Sequence, residues 1–171
     1  MSEDFYRDAC DALIGLLPLE LTTFEHRVHS RGLKVWFGAA HREHYELQEV
    51  GMIERGGHEV LERALEIGFH AEHRDPAENI AVLAPLLTGE KVWRRALGAE
   101  AGIGAFVNDQ RRGWQRVSEF WTGPEIDEPD TAIDAADRLA RYIAALEPLR
   151  TASTPSAGTR AKRARSRPAT T

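Results

Sequence analysis

Across residues 22–72 apolar and polar positions trade places at nearly every step, the period of a half-buried strand. Phe24 and Val28 alternate with Glu25, Arg27 and His29. Arg31-Gly32 reads as a turn, after which Leu33, Val35 and Phe37 alternate with Lys34 and Trp36, so the pair predicts a hairpin. Tyr45 and Leu47 against His44, Glu46 and Gln48 predict a third strand, and 51–58 a loop with Gly56-Gly57 at its tip. Residues 60–72 carry two periods at once. Val60, Leu61, Ala64 and Leu65 have helical spacing; Leu65, Ile67, Phe69 and Ala71 have strand spacing against Glu66, His70 and Glu72. Gly68 weakens the helix, so a strand over 61–72 is expected, with a helix as the alternative.

Helical periods flank this region. Phe5, Ala9, Leu13 and Leu16 predict a helix over 3–17, with Asp4 and Asp8 near its start and Pro18 after its end. Asp75-Pro76 starts a second, lined by Ile80, Leu83, Ala84 and Leu87. Thr88-x-x-Lys91 starts a third, closed by Gly98. Residues 99–113 look irregular, and 114–121 predict a last strand. Asp130 caps a final helix through Ile133, Ala136, Leu139, Ala140, Ile143 and Leu146, stopped by Pro148. The fold class expected is α+β: an antiparallel sheet of about five strands with helices packed on one face.

Charge divides the chain. Residues 150–171 hold six of its 22 Lys+Arg (Arg150, Arg160, Lys162, Arg163, Arg165 and Arg167) and none of its 27 Asp+Glu. Residues 151–171 also lack Leu, Ile, Val and aromatics, so nothing offsets the entropy of ordering them. The reading is one globular domain over 1–149 and a disordered basic tail over 150–171. The one cysteine, Cys10, lies in a helical pattern and suits a small buried hydrophobe in a reducing compartment. With an acidic, non-apolar N-terminus and no apolar run of membrane length, a cytoplasmic, non-membrane protein is expected.

Alternation puts the candidate chemistry on the sheet face away from the helices. Trp36, His44, Glu46, Gln48, His70 and Glu72 share that face and form the candidate ligand-binding set, beside Lys34 and Glu66. A polar face exposed to water is the plain alternative. Imidazoles and carboxylates are ligands of zinc, manganese and iron(II). Yet the pairs His26/His29, His41/His44 and His70/His73 are each three apart, which on a strand puts partners on opposite faces, and no H-E-x-x-H occurs. No metal or cofactor is therefore assigned. Arg111, Arg112, Trp114 and Arg116 form the one basic patch in the body and a candidate anion site. Residues 160–167 offer weak polyanion contact.

No nucleophile elbow, Walker motif or dinucleotide fingerprint is present. The expectation is a binding or interaction module, with room for self-association. The alternatives are a metal-dependent enzyme using the His/Glu face and a nucleic-acid-associated protein working through the tail.

Overall fold

The computed structural model describes residues 1–39, 41–51, 53–55, 58–60, 62–106, 113–128 and 130–152. The chain opens with helix α1 (Glu3–Leu16), capped by Ser2, whose hydroxyl accepts from the Phe5 amide. Its inner side buries Tyr6, Ala9, Cys10 and Leu13. Strands β1 (Glu25–His29), β2 (Gly32–Trp36) and β3 (Glu43–Val50) follow as a meander. A small separate hairpin, β4 (Ile53–Arg55) with β5 (His58–Val60), occupies the stretch read as a loop. Strand β6 (Ala64–Ala71) then returns alongside β3. The strand expected over 61–72 is thus observed, with the bounds Ala64–Ala71, and the helical alternative is not.

Helix α2 (Pro76–Thr88) starts at Asp75, whose carboxylate accepts from the Ala77 amide. Helix α3 (Glu90–Leu97) follows directly. Thr88 does not cap it: the Thr88 hydroxyl donates back to the Ala84 carbonyl inside α2. The stretch read as irregular contains β7 (Gly102–Ala105), paired with β8 (Gln115–Thr122). Its glycines hid a short edge strand that alternation could not reveal. Among the described residues the main sheet therefore has six antiparallel strands in the order β1-β2-β3-β6-β8-β7.

Helix α4 (Thr131–Ala152) runs through Pro148 rather than stopping there. Proline in a helix interior costs about 3 kcal/mol, and ion pairs hold the turn beyond it. Arg150 pairs with Glu43 on β3 and with Glu147, and Thr151 donates to the Glu147 carbonyl. Arg150 thus belongs to the folded body.

The helices cover one sheet face. Leu33, Val35, Tyr45, Leu47, Leu65, Ile67, Phe69 and Val117 are wholly buried against residues such as Leu13, Leu139, Tyr142, Ile143 and Leu146. The Tyr45 hydroxyl donates to Glu147 (3.0 Å), fixing α4 on the sheet. Among the described residues, no helix is long and apolar enough to cross a membrane.

Candidate functional site

Register carries the polar residues of the opposite face to its centre. His44 on β3 lies directly across from His70 on β6, and Glu46 lies across from Gly68. Lys34 on β2 faces Glu46 from the other side. Gly68 makes the convergence feasible. Residues four apart on a strand are roughly 13 Å apart along it, yet His70 Nε2 comes within 3.4 Å of Glu66 Oε1. The two side chains lean toward each other over a position that has none. The glycine also lets β8 approach: a Cβ at Gly68 would lie 2.3 Å from the Val117 carbonyl oxygen.

The result is a tight group of His44, Glu46, His70 and Glu72, offering four ligand atoms within 4.8 Å of one another. His44 Nε2 is 3.2 Å from Glu46 Oε2 and 3.8 Å from Glu72 Oε1. His70 Nδ1 is 3.0 Å from Glu46 Oε2 and 3.8 Å from Glu72 Oε1. These edges bracket the separation of about 3.3 Å between ligands bound tetrahedrally at zinc–nitrogen distances. His44, Glu46 and His70 are 0–2 % exposed. The face is therefore not the solvated surface that an open sheet would present. Phe106, just beyond β7, covers it, its ring edge-on to His70 at 4.7 Å.

Hydrogen bonds orient the imidazoles. His44 Nδ1 lies 3.1 Å from the His41 carbonyl, a contact that places the proton on Nδ1 and points the Nε2 lone pair inward. Lys34 Nζ meets that lone pair at 3.0 Å and also touches Glu46 (3.3 Å) and Glu72 (3.5 Å). His70 differs: it is fully buried, and neither ring nitrogen makes a properly aligned hydrogen bond despite the nearby carboxylates. Around it, Glu66 accepts from Ser118 (2.7 Å), Arg116 (2.8 Å) and Gln48 (2.9 Å).

Protonation follows from this layout. Burial holds His44 below its ordinary value, although Glu46 pulls the other way. Burial pushes His70 down too, but the Glu66 charge and contacts with Glu46, Glu66 and Glu72 outweigh it and raise it well above the ordinary histidine value. Burial pushes Glu46 up, yet His44, His70 and Lys34 leave it well below the usual carboxylate range. Glu66, likewise opposed by burial, is brought down to about 2 by His70, Arg116 and Ser118. Lys34, Arg116 and protonated His70 thus balance Glu46, Glu66 and Glu72.

The structure brings four of the six candidate ligand-binding residues together. Gln48 sits one step out, on Glu66. Trp36, opposite Glu25 on the outer strand, does not line the adjoining cleft. Of the basic patch, Arg116 is paired with Glu66 and Trp114 forms part of the cleft wall. Arg111, Arg112 and residues 160–167 lie outside the described residues. Lys34 and Glu66, on the same face but outside the candidate set, contact it directly, and their alternation with Leu33, Val35, Leu65 and Ile67 is the signal that places them there. No family model, curated protein or solved structure matches this chain.

Proposed function

We propose that this chain binds one divalent metal ion of the zinc, manganese or iron(II) class through His44, Glu46, His70 and Glu72. The observation that carries the reading is the buried His70 ring, whose nitrogens lie beside carboxylates without an aligned hydrogen bond, in a group of four ligand atoms within 4.8 Å of one another. The surrounding groups fit as well. With Nδ1 on an ion, the Nε2–H of His70 would face Glu66, the carboxylate–histidine pairing that orients metal-bound imidazoles. Lys34 stands where a cation is called for, among three of the four ligand residues. A bound ion would supply Lewis acidity and lower the pKa of a coordinated water. The cluster borders a cleft, as reactive sites do more often than closed structural ones.

A second reading rests on the charge balance. Three cations against three carboxylates is a self-sufficient ion network, which suits a binding module with no ion. Calorimetric titration of metal-free, full-length protein with zinc and manganese separates the two. The metal reading expects one equivalent bound, with unfolding free energy raised by about 2.7 kcal/mol at a free ion concentration 100 times Kd. Glu46→Gln and His70→Gln should weaken binding at least tenfold while the far-ultraviolet circular dichroism stays native. Glu3→Gln, on the exposed face of α1, should bind as the parent does. Absence of saturable binding, or equal binding by His70→Gln, would leave the ion network alone standing.

A further inference from the structure

We infer that the cleft beside the cluster binds a small oxyanion, a molecule presenting a phosphate or carboxylate group to Arg27, Lys34 and Arg42. This deepens the metal reading by naming a ligand class for the same cleft. The anion's contacts, however, are with the chain's own cations and do not need the ion.

The first observation is a cross-strand row. Arg27 on β1 lies directly opposite Lys34 on β2, and Lys34 directly opposite Glu46 on β3. Directly opposed residues share a face, with Cβ atoms about 5 Å apart, and like charges so placed repel. Arg27 thus has a like charge as its cross-strand neighbour, and the carboxylates at hand, Glu46 (3.3 Å) and Glu72 (3.5 Å), are engaged by Lys34, on a chain with a net charge of -5. A bound anion would convert that repulsion into attraction.

The second observation is that the two arginines, unlike Lys34, pair with no carboxylate among the described residues. Arg7, Arg94, Arg116, Arg138, Arg141 and Arg150 each pair with a carboxylate. Arg27 pairs with no acid among the described residues, as is also true of Arg31, Arg74 and Arg95, but of these four Arg27 alone lines the cleft. Arg42 bonds the Glu72 backbone carbonyl (3.2 Å), which fixes the guanidinium and leaves its other N–H groups for a ligand. Both arginines line a cleft of about 240 Å³ together with Lys34, His41, Glu72 and Trp114. That volume suits a small molecule rather than a drug-sized one. Among the described residues Glu72 is the one acid in the wall, and its carboxylate is drawn to Lys34 and His44 on the cluster side.

Lys34 joins the two sites. It serves as counter-cation to Glu46 and Glu72 and borders the cleft. A divalent ion at the cluster would repel its ammonium toward an anion in the cleft. Ion and anion should then each tighten the other's binding by the same factor.

The test titrates full-length, metal-free protein with inorganic phosphate and, in a second arm, with succinate, in low-salt buffer, by calorimetry and thermal shift. Saturable binding is expected in at least one arm, and the tighter arm identifies the anion's source. Arg27→Gln and Arg42→Gln should each weaken it by roughly tenfold, the loss of one charge-assisted contact. Their ligand-free melting temperatures should hold, and Arg27→Gln should melt no lower than the parent. Arg141→Gln, a surface arginine paired on α4, should bind as the parent does. Failure of both anions to bind, or parental affinity in Arg27→Gln, overturns the inference even if zinc binds. Anion binding without zinc binding retains it and removes the ion.

Discussion

Replacing Gly68 by alanine tests the packing that gathers the polar cluster. The added Cβ would lie 2.3 Å from the Val117 carbonyl oxygen and 2.5 Å from the Ser118 Cα and Cβ, where ordinary contact begins at 3.4 Å. Relief requires β6 and β8 to part by roughly 1 Å, because two of the three obstructing atoms are backbone. The strands are paired from Ala64↔Thr122 to Ala71↔Gln115, so the parting cannot stay local. Overpacking of this kind costs about 1–3 kcal/mol, and backbone obstacles favour the upper half of that range. In a chain of this length each kcal/mol moves Tm by about 2–4 °C, so a fall of roughly 4–12 °C is expected. Gly102→Ala is the matched control, since its Cβ would meet only the Ser118 carbonyl oxygen, at 3.6 Å. Both variants are to be melted by circular dichroism with urea unfolding in parallel. A fall below 2 °C for Gly68→Ala, or one equal to that of Gly102→Ala, would show that the glycine is not what lets the strands close.

Acid should unfold the protein in a way traceable to Glu66. Its folded value of about 2 lies below the ordinary 4.5, so its contribution is complete above pH 4.5 and is lost as pH falls toward 2. The loss is on the order of 3 kcal/mol, and urea midpoints measured across that window should decline less steeply in Glu66→Gln; parallel declines would refute the assignment. On the helix-facing side, Arg138 donates from Nε to Glu119 (2.8 Å), whose side chain is 5 % exposed and also accepts from Tyr142. Arg138→Met strands that carboxylate and should cost about 3–5 kcal/mol, whereas Arg138→Met/Glu119→Gln should recover much of it. A double variant no better than the single one would mean that packing, not charge, is at stake.

Much of the architecture was legible because strand alternation is a local signal. The apolar set Leu33, Val35, Tyr45, Leu47, Leu65, Ile67 and Phe69 fell on one face as its period required. The polar set fell on the other. Register is not local, and it decided the site. The three-residue histidine spacings argued against a shared ion within any one strand, while His44 and His70 meet because β3 and β6 align them across the sheet. Gly68 signals only a cost to a helix when read along the chain, whereas across the sheet its missing side chain is what lets β8 approach β6. β7 escaped notice because its two glycines break alternation. Pro148 misled because the ion pairs that carry α4 past it join Arg150 to Glu43, 107 residues before it. Arg116 read as a free anion anchor because its partner Glu66 lies 50 residues upstream.

The central claim is that His44, Glu46, His70 and Glu72 form one ion's ligand set. Anomalous diffraction at the zinc edge from crystals soaked in zinc tests it most directly. A single peak is predicted roughly 2.0–2.1 Å from His44 Nε2 and His70 Nδ1, with the Lys34 ammonium displaced from Glu46 toward the cleft. A peak only elsewhere on the molecule, or none with Lys34 still against Glu46, would contradict the account.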